Sequence, residues 1–150
     1  MVAEGYKQTE VGVIPEDWKI KDGENLTSLI SKGASPKWQG YAYADSGMLF
    51  VTSENVRQGY LDISKPKFLP IEFNSKIKRS QVQIGDVLIN LVGASIGRSC
   101  QVKSDLGIAN VNQAVAVYRM SEDENSEYVA AYFTSSLAVR RIMEMQVDAA

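Results

Sequence analysis

Apolar positions in this chain come in short interrupted runs and strict alternations, with helical spacing confined to the last third. Val87, Leu88, Ile89, Leu91 and Val92 form a nearly continuous run, the signature of a strand covered on both faces. The β pattern opens at Val82 and Ile84, with a turn at Gly85 and Asp86, and residues 93–97 make a second turn. Residues 98–103 and 113–119 are predicted as further strands, the latter setting Val115 and Val117 against Ala114, Ala116 and Tyr118. Residues 48–52 form an apolar run suited to a buried strand. Residues 59–63 are expected to pair with it across a turn at 55–58, and Pro66 and Pro70 confine the next segment to loop or sheet edge. One or two helical turns are expected at 72–79.

The helical signals are few. Asn25 or Thr27 as a cap, followed by Leu26 and closed by Gly33, predicts a short helix over 26–31. Val129, Tyr132, Phe133 and Leu137 lie at helical spacing behind Ser126. Ser135 and Ser136 then break or re-cap the chain before Val139, Ile142, Met143 and Met145, so two helices are expected within 126–146. Residues 1–18 read as an extended lead-in, because Gly12 and Pro15 break any helix. With no internal repeat and no linker of low complexity, the 150 residues are expected to fold as one α+β domain. Its centre would be a mixed or antiparallel sheet, with short helices and a helical C-terminal segment.

Composition removes several classes of chemistry. The chain has no histidine, hence no Ser-His triad and no imidazole zinc ligand, and its one cysteine, Cys100, can form neither a disulfide framework nor a thiolate cage. No run reaches the ~18 apolar residues of a membrane span, and a reducing, cytoplasmic setting with a buried Cys100 thiol is expected. Neither a cofactor nor a metal is expected. Residues 93–97 lack the Lys-Ser/Thr ending of a phosphate-binding loop. Asp86 with Gln101 and Lys103 has the outline of a magnesium nuclease site, but offers one carboxylate where the metal needs more support, and an ordinary turn at 85–86 is the better explanation.

The formal net charge of -2 hides a gradient. Residues 1–31 carry a net -3, residues 32–79 a net +4, residues 80–119 a net +1 and residues 120–150 a net -4. The polar and aromatic side chains gather inside the positive stretch. Lys37, Trp38, Gln39, Tyr41 and Tyr43 form one cluster; Ser53, Asn55, Arg57, Gln58 and Tyr60 form a second. Arg reads guanine, and Asn or Gln read adenine, at base edges in a DNA groove, so both clusters are candidate base readers. The same aromatics would equally serve to cover a core beneath a long loop. Lys32, Ser35, Lys76, Lys78, Arg79, Ser95 and Arg98 are candidate phosphate contacts. Gly33, Gly85, Asp86, Gly93 and Gly97 are assigned to structural turns. Asn110, Asn112 and Gln113 either read bases or satisfy buried backbone groups.

The order of short motifs carries more than any one of them. Gly12-Val13-Ile14-Pro15-Glu16-Asp17-Trp18 opens the series, and Lys32-Gly33-Ala34-Ser35-Pro36 comes second. Next come Leu49-Phe50-Val51-Thr52 with Glu54-Asn55-Val56, then Gly85-Asp86-Val87-Leu88-Ile89 with Gly93-Ala94-Ser95-Ile96-Gly97. Asn112-Gln113-Ala114-Val115 and the helical stretch from Glu127 to Ser136 close it. Across residues 6–146 this order resembles a target recognition domain of the specificity subunits of type I restriction-modification systems. The resemblance implies sequence-specific binding of double-stranded DNA at one half of a split site, with no catalysis by the chain itself. It implies partners that methylate and cleave, and a second recognition domain for the full site. The family's long spacer helix does not follow Ala150, so a fragment or one half of an assembly is expected. An incomplete or competing subunit, acting through protein contacts at its acidic ends, is the alternative.

Overall fold

A computed structural model describes residues 1–148 of the chain. The lead-in is a hairpin: β1 (Tyr6–Thr9) and β2 (Gly12–Pro15) pair antiparallel around Glu10 and Val11. After it come a single helical turn, α1 (Gly23–Leu26), and β3 (Thr27–Lys32). The expected helix over 26–31 is therefore a strand. Thr27, Leu29 and Ser31 are partly buried while Ser28, Ile30 and Lys32 are exposed, a period of two. A single turn has no face wide enough to bury, whereas β3 covers the open edge of a sheet.

A loop holding one 3-10 turn (Lys37–Gln39) leads to β4 (Met48–Val51), buried throughout. The expected partner of β4 is wrong. Asn55, itself buried, accepts hydrogen bonds from the Thr52 amide (2.8 Å) and hydroxyl (3.1 Å) and donates to the Asp62 carbonyl (2.9 Å). This closes a turn directly after β4 and takes the chain out of its sheet. A separate small hairpin comes next, β5 (Val56–Arg57) against β6 (Tyr60–Leu61), turning at Gln58 and Gly59. β7 (Phe68–Leu69), between the two prolines, is an edge strand on β4 as expected. α2 (Glu72–Lys76) and a 3-10 turn (Lys78–Ser80) supply the helical turns expected there. Residues 82–84 make no strand of their own; only Gln81 bridges Asn110.

β8 (Val87–Asn90), β9 (Ser99–Gln101), β10 (Ala109–Val111) and β11 (Val115–Met120) complete the strands. β3, β11, β8 and β9 form an antiparallel sheet in that order, and β10, β4 and β7 form a mixed one in which β10 runs parallel to β4. Alternation divides each apolar run between two cores. Leu49 and Val51 of β4 join Leu88, Cys100, Val111, Val115 and Val117 between the sheets, while Met48 and Phe50 face Leu69 and Phe73. β8 does the same: Leu88 enters the central core, and Val87 and Ile89 pack under Ala130. α3 (Ser126–Thr134) is capped by Asn125, whose side chain accepts the Tyr128 amide at 2.9 Å. Ser135 ends α3 and its hydroxyl accepts the Ala138 amide, starting α4 (Ser136–Asp148) as the Ser-Ser pair suggests. Among the described residues no helix is long and apolar enough to cross a membrane.

Candidate nucleic-acid interface

The loops that leave the C-terminal ends of β3, β4, β8 and β10 meet at one edge of the molecule. Backbone bonds lock them together: Asn112 donates to Val51 (2.9 Å), Leu91 to Ala114 (2.8 Å) and Gly33 to Val115 (3.4 Å). Gly33 lies so close to the next strand that a Cβ there would sit 1.7 Å from the Val111 carbonyl oxygen. That close approach fixes where the 33–43 loop departs. Asn90, at the end of β8, donates from its amide nitrogen to both the Ser53 carbonyl (2.9 Å) and the Ser95 hydroxyl (3.0 Å), setting the spacing of two more loops.

Two adjoining grooves mark this edge. One, of about 390 Å³, is lined by Ser35, Lys37, Tyr41, Tyr43, Asn112 and Gln113, among others. The next, of about 420 Å³, lies between Lys32 and the segment carrying Lys76, Lys78 and Arg79. Among the described residues, no carboxylate lines either groove. Among the same residues, none of Lys32, Lys37, Lys76, Lys78 and Arg79 is in an ion pair. The grooves are joined by Tyr41, which packs edge-on to Phe73 (4.9 Å between centroids) and carries the Lys76 ammonium 5.1 Å above its ring. Lys37, Tyr41 and Tyr43 of the first sequence cluster and most of the phosphate candidates thus form one basic, aromatic surface, with Trp38 and Gln39 exposed on the turn beside it.

The second cluster divides. Ser53 stays at the edge. Asn55 has its side chain spent on the turn after β4, so its assignment as a base reader is corrected to a structural one. Gln58 is likewise committed: its amide donates to the Thr134 carbonyl (2.8 Å) and its carbonyl accepts the Ser99 amide (3.3 Å), pinning the hairpin against β9 and α3. Arg57 and Tyr60 face each other across that hairpin, with Tyr60 exposed. Lys67 ties the two clusters, pairing with Glu54 at 2.9 Å while lying 5.7 Å from the Tyr43 ring centre. That hydrogen bond holds the Glu54 carboxyl below its ordinary value and Lys67 above its own. Ser95 is held by Asn90, and Arg98 is exposed beside the turn.

Turn residues behave as assigned at Gly85, Gly93 and Gly97, whose φ angles are +90°, +76° and +81°. Gly33 serves by close approach instead. Asp86 is more than a turn residue: it is fully buried and takes Arg119 through both carboxylate oxygens, 2.8 Å each, and the Gln83 amide at 2.7 Å. A carboxylate so engaged is a clamp between β8 and β11, and the nuclease outline drawn from Asp86 and Lys103 has no free acid. Asn110 satisfies buried groups, accepting from Ser80 (2.9 Å) and donating to Asn74 (2.5 Å). Cys100 is enclosed in the central core, and burial pushes its thiol up to about 12. Asn112 and Gln113, marked in sequence by their polarity and by their place in the motif series, line the groove, and the Asn112 side-chain carbonyl accepts the Ala114 amide at 3.1 Å.

No protein-family model matches the chain. It is similar to the putative type I restriction enzyme MjaX specificity subunit of Methanocaldococcus jannaschii, with 25% identity over 91 residues, 61% of this chain and 21% of that protein. It is also similar to the type I restriction enzyme EcoBI specificity subunit of Escherichia coli, with 30% identity over 115 residues, 74% of this chain and 23% of that one. The chain spans less than a quarter of the length of these curated relatives. Among solved structures, a chain from a study of complex assembly and conformational transition in the type I R-M system shares the fold. The TM-score is 0.52 at 16% identity, over 82% of this chain and 31% of that chain. The resemblance carried by the motif order therefore stands: over most of its length this chain is similar in sequence to part of a type I restriction specificity subunit, and in fold to part of a chain of a type I R-M system.

Proposed function

We propose that the chain is a recognition unit that reads one half of a split site in double-stranded DNA, as part of a type I restriction-modification specificity subunit. The observation that carries this reading is the pair of adjoining grooves that no carboxylate lines among the described residues, set where four strand ends deliver polar and aromatic loops. The cations of these grooves supply phosphate contacts, which position the duplex. Tyr43 and Gln113 on the first groove, and the free amide nitrogen of Asn112, whose carbonyl is taken by the Ala114 amide, are our candidates for reading base edges, with Gln39 and Ser53 on the adjoining loops. The chain does no chemistry of its own in this reading; partner subunits methylate and cleave, and a second recognition unit reads the other half-site.

The test is binding of the chain to labelled duplexes with a randomised core, followed by sequencing of the retained fraction. Salt-sensitive binding with an enriched short sequence is expected. Retention without any enriched sequence would remove the reading function, and absence of salt-sensitive binding would remove the DNA partner.

One observation favours a second role alongside the first. Trp18, Tyr128, Tyr132 and Leu137 are exposed around a groove of about 520 Å³ between the lead-in and the C-terminal helices. This is a surface for protein docking, and it lies in the two acidic end segments. Co-purification with a modification subunit, lost on Tyr128→Ser, is the expected result.

A further inference from the structure

We infer that Trp38 is a stacking wedge, entering between adjacent base pairs and opening the step instead of reading a base edge from the groove. The inference rests on the DNA-reading proposal and adds the mode of contact. Trp38 is 90% exposed, the most exposed side chain among the described large hydrophobics after the terminal Met1. An indole buries some ~150–250 Å² when covered, so this conformation forgoes a large apolar contact unless a partner supplies it.

The turn that carries the indole is braced against collapse. The Pro36 carbonyl accepts both the Gln39 amide (3.0 Å) and the Tyr41 amide (2.9 Å), and the Lys37 carbonyl accepts the Gly40 amide (3.1 Å). Gly40 closes it with a φ of +79°, a conformation a side chain would strain. Tyr41, on the far side, is anchored on Phe73. The backbone that carries the indole is therefore set before a partner arrives, which lowers the ordering cost of binding.

Its chemistry selects the partner. An indole offers one N–H donor and no acceptor, too little to tell base pairs apart by their edges, whereas its flat face matches any base. The flanking Lys37 and Gln39 are exposed and polar, and the cationic groove of Lys32, Lys76, Lys78 and Arg79 runs alongside. A protein-binding tryptophan sits at the centre of an apolar patch; this one stands between exposed Lys37 and Gln39, on a loop whose first residues border the cationic groove, as suits a polyanion whose bases stack.

The experiment uses the whole chain with Trp18→Phe, leaving Trp38 as the sole indole, and duplexes enriched from a randomised pool by the unaltered chain. Expected are quenching of indole emission on binding and affinity about 5- to 100-fold weaker for Trp38→Ala. Most affinity should remain in Trp38→Phe, and the salt slope should not change, because no cation is removed. End-to-end energy transfer across the duplex should rise with the unaltered chain and not with Trp38→Ala, reporting the kink that an opened step produces. Salt-sensitive binding with unquenched emission and an unaffected Trp38→Ala would overturn the wedge and leave DNA reading in place. Failure of the unaltered chain to bind any duplex would overturn both.

Discussion

Lys78→Ala gives the most direct measure of the basic edge. Lys32, Lys37, Lys76, Lys78 and Arg79 make no ion pair among the described residues and line or flank the two grooves. If each neutralises one phosphate, the logarithm of the binding constant falls against the logarithm of salt with a slope of about -4.5. Raising salt from 50 to 200 mM then weakens binding about 500-fold. Each cation removed should make the slope shallower by about 0.9. Fluorescence anisotropy at four or more salt concentrations reads this directly, with Lys103→Ala as the control, since Lys103 lies on a different surface beside Glu127 and Thr134. An unchanged slope in Lys78→Ala, or an equal change in Lys103→Ala, refutes the placement of the duplex.

Three further outcomes are expected. Arg119→Met, which leaves Asp86 buried without its partner, should cost about 3–5 kcal/mol in urea unfolding. Arg119 is partly exposed, which places the loss toward the lower end, and a change below ~1 kcal/mol would mean the clamp does not hold β8 to β11. Gly33→Ala puts a Cβ onto the Val111 carbonyl, where backbone must move, so thermal unfolding should show a loss of at least ~2 kcal/mol and DNA binding should fall with it. The Glu54 carboxyl is depressed by Lys67, so the pair's small contribution is present above the ordinary value of 4.5 and is lost as pH falls through the lower value. Lys67 is raised, so on the alkaline side nothing is lost until pH passes above 10.5. A carbon-detected NMR titration should find Glu54 returning upward in Lys67→Met; no movement would break the assigned link between the two clusters.

The strands that were legible in the sequence are those with apolar residues on successive positions. β4 and β8 are buried on both faces, and β11 alternates against small residues, so their runs stand out. β3 was illegible because its partly buried side chains include Thr27 and Ser31, while Thr27 and Gly33 mimic the two ends of a helix. β10 is three residues long, interrupted by a buried Asn110, and held by a parallel partner sixty residues earlier in the chain. At the basic edge, residue type and charge mark the 32–43 and 76–79 segments, which the fold brings side by side. The failure at Asn55 and Gln58 is of another kind: an amide looks the same in sequence whether its hydrogen bonds point outward or are spent internally, and here both are spent.

The contact between Gly33 and Val111 also sets an order of assembly. The 33–43 loop is anchored at its root by a strand and backbone contacts that lie nearly eighty residues downstream, and β4 waits for β10 across sixty. Closing such long loops is entropically slow compared with forming local hairpins and helical turns. During synthesis the lead-in hairpin and the 56–61 hairpin can form as they emerge, but the basic edge stays unbuilt until β10 and β11 have been made. A nascent chain stopped before residue 109 would carry the loop residues without the geometry that spaces them.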